Sequence, residues 1–109
     1  GQTSAKPDPG SMQLVKDLIK AHRVVIFSKS YCPFCVQAKR CFDDLGAKYE
    51  AVELDKRADG SSIQAALAEL TGQRTVPNVF VHGSSIGGGD DTSRLHRSGE
   101  LKRMLEASS

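Results

Sequence analysis

The 109-residue sequence predicts one α/β domain in which a small central sheet of four strands lies between helices. Three observations support this prediction. Apolar residues alternate between helical spacing and short β-branched runs, in the order α-β-α-β-α. A hairpin-like segment follows, with a turn between two short strands. Two short helical segments, separated by Gly99, complete the chain.

The first helix is predicted over Met12–Ala21, where Leu14, Val15, Leu18 and Ile19 share one face. The later elements are predicted, in order, as a strand over Val24–Phe27, a helix over Val36–Leu45, a strand over Lys48–Leu54, a helix over Ser62–Leu70 ended by Gly72, a strand over Val79–Val81, a turn over His82–Ser85, a short strand at Ile86–Gly87, and helices over Asp90–Ser98 and Glu100–Glu106. We expect Asp90 or Asp91 to cap the first of the last two helices.

Residues 1–11 are polar, rich in proline and glycine, and free of large apolar side chains. We therefore expect a flexible segment there, with the domain spanning residues 12–109. Gly10-Ser11-Met12 also has the pattern of an expression-vector remnant followed by a start methionine. Such a remnant would hide a natural targeting sequence, so the expected cytoplasmic location leaves an organelle open.

Charge and cysteine content exclude several classes of function. The 15 Lys and Arg against 13 Asp and Glu give a net charge of only +2, which does not favour a nucleic acid partner. No stretch has the apolar length of a membrane span, so we expect no membrane partner. Three cysteines suit a reducing compartment, with one catalytic pair and a spare, better than a secreted disulfide framework.

The most informative motif is the run Lys29-Ser30-Tyr31-Cys32-Pro33-Phe34-Cys35. Two cysteines three residues apart, between a strand and a helix, are typical of a redox pair. Unpaired N–H groups and a partial positive charge at a helix N-terminus favour a thiolate, so Cys32 is the predicted nucleophile. Pro33 suits the first helical turn, which places Cys35 one turn inside as the resolving thiol. The alternatives are two core cysteines or half of a zinc site.

The third cysteine, Cys41, lies six residues beyond Cys35. At about 1.5 Å per helical residue this separation is roughly 9 Å, too far for an intrachain disulfide. We expect a packed or partly exposed free thiol, with an intermolecular disulfide as the less favoured alternative. His22, His82 and His96 are interpreted as surface residues, and no second cysteine pair completes a zinc site, so no metal is expected.

The glycine run Gly87-Gly88-Gly89 precedes Asp90 and Asp91 at the start of a predicted helix. Backbone N–H groups exposed at such a position can bind a carboxylate. The simpler interpretation is a tight turn.

Four motifs in this order resemble the glutaredoxin family, in its dithiol Cys-Pro-aromatic-Cys class. They are the redox motif, Ile63-Gln64, Thr71-Gly72-Gln73-Arg74-Thr75-Val76-Pro77 and Ile86-Gly87-Gly88-Gly89-Asp90-Asp91, and the similarity covers Met12–Leu105. The resemblance implies a thioredoxin fold with a mixed sheet, and a glutathione-dependent thiol–disulfide oxidoreductase. It also implies glutathione as the reducing co-substrate, disulfide-containing or glutathionylated proteins as partners, and indirect dependence on glutathione reductase and NADPH. We expect a monomer.

The resemblance assigns several residues to glutathione. Lys29 and Gln64 match positions that hold its glycine carboxylate, although from the residues alone they could form an exposed polar face. Tyr31 is expected to form one wall of the groove. Phe34 is expected to shield the site rather than to react.

A loop and a helix start are assigned to the rest of glutathione. Thr75-Val76-Pro77 matches a cis-proline loop whose backbone pairs with the tripeptide. Without the resemblance a trans proline is the favoured interpretation, because only about 5–6% of X–Pro bonds are cis. Gly88, Gly89 and Asp90 match positions that receive the γ-glutamyl end, with N–H groups for its carboxylate and the Asp90 side chain for its ammonium. Asp90 could also simply cap its helix.

Two positions depart from the commoner family pattern. Many members have a cysteine at the position of Gly89 and an aromatic residue at that of Ala66. We expect the first difference to remove a possible second oxidation site and the second to loosen one side of the groove. The affinity for glutathione is then affected and the chemistry is retained.

Two other functions compete with the glutaredoxin interpretation. In an iron–sulfur carrier, Cys32 from two subunits and two glutathiones would hold a [2Fe–2S] cluster, and the resemblance implies that Pro33 disfavours this arrangement. A thioredoxin reduced by a flavoenzyme is disfavoured by the absence of Trp and by Lys29, Gln64 and the glycine run.

Overall fold

The computed structural model describes residues 7–107. The helices are α1 (Pro9–Ala21), α2 (Pro33–Asp44), α3 (Gly60–Thr71), α4 (Gly89–Ser98) and α5 (Glu100–Glu106). The strands are β1 (Val24–Ser28), β2 (Glu50–Glu53), β3 (Asn78–Val81) and β4 (Ser84–Gly87), and a 3₁₀ turn over Leu54–Lys56 follows β2. Within the described part of the chain, no helix is both long enough and apolar enough to cross a bilayer.

The four strands form one mixed sheet in the order β2-β1-β3-β4. Strand β1 runs parallel to β2 and antiparallel to β3, and β3 runs antiparallel to β4. His82 and Gly83 make the turn between β3 and β4, both with positive φ, as a tight two-residue hairpin turn requires. The predicted α/β architecture, a four-stranded mixed sheet flanked by helices, is confirmed.

The central strand β1 separates two apolar layers. Val25 and Phe27 point to one face, where they pack with residues of α1 and α3, and the Phe27 ring meets Phe80 edge-on at 5.8 Å between centroids. Val24 and Ile26 point to the other face, which is covered by residues of α2 and α5. Successive side chains of a strand alternate between faces, so a continuously apolar strand serves both layers.

Helix α1 begins at Pro9 rather than at the predicted Met12. Proline suits the first helical position, and the carbonyl of Asp8 accepts hydrogen bonds from the N–H groups of Ser11 and Met12. Ser11 is buried. The predicted flexible segment over residues 1–11 is therefore wrong for residues 9–11, and residues 1–6 lie outside the described part of the chain.

Other boundaries also differ from the predicted ones. Helix α2 includes Pro33 and starts three residues before the predicted Val36. Strand β2 starts at Glu50 rather than Lys48, because only residues from Glu50 onward pair with β1. Gly72 ends α3 in the left-handed conformation, as predicted, with φ of 80°.

Candidate active site

Cys32 lies where β1 has ended and α2 begins. It is the N-cap residue of α2, and its Sγ accepts a hydrogen bond from the backbone N–H of Cys35 at 3.3 Å. The side chain is half-buried, so one side of the sulfur remains accessible. An accessible sulfur that accepts an N–H bond at a helix start is well placed to act as the attacking nucleophile.

Cys35 has a different environment one turn further into α2. Its side chain is fully buried, and both it and Cys32 are free thiols. Burial, followed by its hydrogen bond with Cys32, raises the pKa of Cys35 to about 11. A disulfide arriving from solvent therefore meets Cys32 first, while Cys35 stays protonated behind it.

The loop before Cys32 is held in place by Asp55, in the 3₁₀ turn. Its carboxylate accepts the backbone N–H of Ser30 at 2.9 Å and also the Ser30 hydroxyl. These two hydrogen bonds lower the pKa of Asp55. Asp55 was not among the predicted site residues, because Ser30 and Asp55 are distant in sequence and are brought together by the parallel pairing of β1 with β2.

A second loop passes beside the Cys32 sulfur. The Val76–Pro77 peptide is cis, as the family resemblance implied, and the Cys32 thiol donates to the Val76 carbonyl with 3.9 Å between sulfur and oxygen. The side-chain amide of Gln73 donates to the carbonyls of Thr75 and Pro77 at 2.9 and 2.8 Å. Gln73 therefore orders this loop. It was not among the predicted site residues, although it lies in the Thr71–Pro77 motif, which could have indicated it.

A groove of about 390 Å³ runs from this loop to the start of α4. It is lined by Phe34, Gln73, Thr75, Val76, Pro77, Gly88, Gly89, Asp90 and Asp91. The structure thus brings six of the predicted contact residues together, on the loop and on the helix start.

Three other predicted residues lie outside the lining of this groove. Lys29 is half-buried in the connection from β1 to α2, and its carbonyl accepts the Cys32 N–H at 3.1 Å. Tyr31 is 71% exposed beside Cys32. Gln64, on α3, donates from its side-chain amide to the Arg74 carbonyl at 2.6 Å. This hydrogen bond links α3 to the cis-proline loop.

The start of α4 is arranged differently from the prediction. Its N-cap is Gly88, not Asp90 or Asp91. The Asp91 carboxylate turns back to accept the Gly88 N–H at 3.1 Å, while Asp90 stays exposed. A side chain at Gly89 would press against Phe34, with its Cβ 3.2 Å from the Phe34 carbonyl oxygen. Glycine therefore lets α4 approach the start of α2 closely.

Two further predictions are corrected by the structure. Ala66 is fully buried in the core, so its side chain does not form a wall of the groove as predicted. His82 is half-buried at a positive φ of 51°, and its Nε2 is enclosed without a hydrogen-bond partner, so it is not a simple surface residue.

Cys41 is a buried free thiol whose Sγ lies 4.0 Å from the Ser93 hydroxyl oxygen.

Comparison with known proteins agrees with this geometry. The family model described as Glutaredoxin matches residues 24–86. "Glutaredoxin-C2" of Arabidopsis thaliana is 56% identical over 95 residues, covering 87% of this chain and 86% of that protein. The chain belongs to the glutaredoxin family.

Solved glutaredoxin structures superpose closely on this glutaredoxin, which has the thioredoxin fold. A wheat glutaredoxin superposes with a TM-score of 0.88 at 55% identity, covering 93% of this chain and 96% of that one. A buckwheat glutaredoxin–glutathione complex superposes with a TM-score of 0.86 at 49% identity, covering 88% and 87%. The chain is accordingly a thiol–disulfide oxidoreductase, the activity that its redox pair and family membership share.

Proposed function

We propose that this glutaredoxin reduces protein disulfides and protein–glutathione mixed disulfides, with glutathione as the reductant. The observation that carries the proposal is the accessible Cys32 sulfur at the start of α2, directly beside the cis-proline loop and the groove. The relative solved as a glutathione complex supports the choice of reductant.

We assign the glutathione contacts to the groove and its flanks. The groove presents an exposed carboxylate at Asp90 and the start of α4, where helix N–H groups favour a bound carboxylate. The γ-glutamyl end of glutathione carries an ammonium and a carboxylate on one carbon. Its ammonium matches the Asp90 carboxylate, and its carboxylate matches the N–H groups at the start of α4. The proposed contact residues are Lys29, Tyr31, Gln64, Thr75, Val76, Pro77, Gly88, Gly89 and Asp90.

The proposed reaction has two routes that share a first step. The Cys32 thiolate attacks a disulfide sulfur, forms a mixed disulfide, and releases the other sulfur as a thiolate. When the mixed disulfide holds glutathione, a second glutathione attacks it, releasing oxidised glutathione and restoring Cys32. When it holds a protein, Cys35 attacks instead, and two glutathiones then reduce the Cys32–Cys35 bond.

The test is a coupled assay with glutathione reductase and NADPH, using a glutathione mixed disulfide and a protein disulfide as alternative substrates. The intact chain is compared with Cys32→Ser and Cys35→Ser. We expect Cys32→Ser to lose both activities and Cys35→Ser to keep only the reduction of the glutathione mixed disulfide. Loss of both activities in Cys35→Ser would contradict the division of roles, and no activity in the intact chain would contradict the proposed function.

The expected cytoplasmic location stays a prediction. Imaging of a fluorescent fusion of the complete gene product in its source cell would test it, and accumulation in an organelle would overturn it.

A further inference from the structure

Gln73 lies in the loop between α3 and β3 and is neither a redox residue nor one of the proposed glutathione contacts. Its side-chain Nε2 donates to the Thr75 carbonyl at 2.9 Å and to the Pro77 carbonyl at 2.8 Å. Carbonyl oxygens only accept hydrogen bonds, so the amide nitrogen, with its two hydrogens, is the end of the side chain that can serve both. One amide therefore holds two carbonyls of the same loop.

The Thr75 carbonyl and the Val76 N–H belong to one trans peptide group. Such a group is planar, and its C=O and N–H point in opposite directions. The hydrogen bond from Gln73 to the Thr75 carbonyl therefore also aims the Val76 N–H, away from the Gln73 side chain. Within residues 7–107, no acceptor is bonded to this N–H. The loop thus presents an oriented and unused backbone donor.

The unused donor lies next to the redox sulfur. The Val76 carbonyl accepts from the Cys32 thiol, with 3.9 Å between oxygen and sulfur, and Val76 lines the groove. Three successive carbonyls of the loop, from Thr75 to Pro77, thus bond Gln73, Cys32 and Gln73 in turn. Gln73 fixes the carbonyls on both sides of the residue that meets Cys32.

The ends of the loop are held separately from its middle. The hydroxyl of Thr71, the last residue of α3, donates to the Leu67 carbonyl at 2.8 Å. It also accepts the Gln73 backbone N–H and the side-chain amide of the buried Asn78, both at 3.1 Å. Removing the Gln73 side chain would therefore loosen the middle of the loop and leave its ends attached.

We propose that Gln73 is a positioning residue that makes the site selective for disulfides carrying peptide groups, because it aims the Val76 N–H for pairing with an extended peptide. Its hydrogen bonds are to the loop backbone and not to the reacting sulfurs. The inference rests on the proposed function, since it concerns the step in which Cys32 takes glutathione from a mixed disulfide. In that step the Cys32 sulfur bonds to the glutathione sulfur, and the other sulfur leaves as a thiolate.

The size of the effect follows from the cost of ordering. A substrate that pairs with a freely turning N–H must order it on binding, whereas one that meets a fixed N–H need not. A hydrogen bond between neutral groups changes an equilibrium by roughly two- to tenfold, so two of them justify an effect of about tenfold. A disulfide without peptide groups has nothing to pair with Val76, so its reaction should not depend on Gln73.

Two disulfides separate this role from a general effect on Cys32. One is a glutathionylated peptide, and the other is 2,2′-dithiodipyridine, which has no peptide group. The reference protein carries Cys35→Ser and Cys41→Ala, so that the Cys32 adduct accumulates. Intact mass after acid quenching measures the transfer of glutathione, and the absorbance of released thiopyridone measures the other reaction.

Gln73→Ala removes both hydrogen bonds. Near neutral pH we expect it to lower the second-order rate constant for glutathione transfer about tenfold, and to change that for 2,2′-dithiodipyridine by less than about twofold. Gln13→Ala is the matched control, because Gln13 is an exposed residue of α1 whose amide donates to Asp17 in the same helix. The control should alter neither rate constant.

Gln73→Glu tests whether the donated hydrogens cause the effect. The introduced carboxylate has the size of the amide but only accepts hydrogen bonds, so near neutral pH we expect a loss at least as large as in Gln73→Ala. Two carbonyl oxygens facing the introduced carboxyl raise its pKa, and its protonated form donates one hydrogen bond. Relative to the reference protein, glutathione transfer should therefore recover by about threefold or more between about pH 7.5 and pH 5, while the ratio for Gln73→Ala stays constant.

Other titratable groups around Gln73 bear on this pH series. From α4 they are Asp90 and Asp91, which line the groove with Gln73. The loop contributes the exposed Arg74, and the start of α2 contributes Cys32 beyond Val76. These groups are present in the variants and in the reference protein. Dividing the two rate constants at each pH therefore isolates the introduced carboxyl.

The outcomes distinguish this inference from the proposed function. If Gln73→Ala transfers glutathione as fast as the reference protein, the positioning role is overturned and the function stands. If it slows both disulfides alike, its effect is structural, and the positioning role is again overturned. If Gln73→Glu does not recover at low pH, the donated hydrogens are not the cause. If the reference protein reacts with 2,2′-dithiodipyridine but takes no glutathione from the peptide, the proposed function fails and the inference fails with it.

Discussion

Cys32 and Cys35 are chemically identical residues one helical turn apart, and their surroundings give them different roles. Cys32 lies at the N-cap, where it accepts an N–H bond and remains partly accessible. Cys35 faces the interior, where burial disfavours its charged form and raises its pKa to about 11. The order in which the two sulfurs react therefore follows from position in the helix.

Alkylation of Cys35 provides a test at the residue scale. In a Cys32→Ser, Cys41→Ala protein, we expect iodoacetamide to react slowly with Cys35 near neutral pH and faster only above pH 9.0, because burial, the largest cause of the raised pKa of Cys35, is retained and the thiolate is the reactive form. Mass spectrometry across a pH series measures the rate. The matched Cys35→Ser, Cys41→Ala protein should be modified much faster near neutral pH, since Cys32 is accessible.

The raised pKa of Cys35 makes the stability of the native state depend on pH. A thiol whose pKa rises from 9.0 to about 11 on folding stabilises the native state below the lower value. That contribution is lost as the pH rises from about 9 to 11. A Cys35 alkylation midpoint at or below pH 9.0 would contradict the assigned burial.

At the scale of elements, the site depends on how closely α3 approaches the turn after β2. Gly60 is buried in the first turn of α3, and a Cβ there would overlap the backbone carbonyl of Leu54. The helix then carries Ile63 and Leu67 into the core and Gln64 to the back of the cis-proline loop. Glycine is thus required for packing at this position.

Replacing Gly60 tests this packing. We expect Gly60→Ala to lower the free energy of unfolding by about 3 kcal/mol or more, because neither backbone can move without disturbing the core. Urea denaturation followed by circular dichroism measures the change. Ser61→Ala, at the exposed neighbouring position, is the control and should change stability by less than about 0.5 kcal/mol. A Gly60→Ala protein as stable as this control would show that the approach is not tight.

At the scale of the whole molecule, the sheet assembles the site from three distant segments. The end of β1 positions Cys32, the entry to β3 supplies the cis-proline loop, and the exit from β4 leads to Gly88 at the start of α4. Two broader depressions, of about 570 and 590 Å³, lie at the other end of β1 around His22 and Arg23, away from the redox pair. The redox pair, the cis-proline loop and the start of α4 therefore lie together at one end of the sheet.

We predict that the folded chain is a monomer, even under oxidation. Cys41 is only 6% exposed, so it is a poor partner for an intermolecular disulfide. Light scattering and non-reducing electrophoresis after treatment with diamide should show a single species of monomer mass. A covalent dimer that disappears in Cys41→Ser would refute this prediction and assign the contact to Cys41.

Local patterns in the sequence determined the order of the elements and the position of the redox pair. The alternating apolar runs, the helix-ending Gly72 and the proline after Cys32 act through neighbouring residues, so their effects can be derived from sequence spacing alone. The family motifs also predicted that the loop over Thr75–Pro77 and the start of α4 contribute to the site, and both line the groove.

Tertiary structure decided what depends on residues that are distant along the chain. Ser28 meets Glu53 only because β1 and β2 pair in parallel and in that register. Ala66 was assigned to one side of the groove from the family pattern, whereas the packing of α3 buries it in the core. The burial that separates Cys35 from Cys32 is a property of packing between elements, which no local pattern contains.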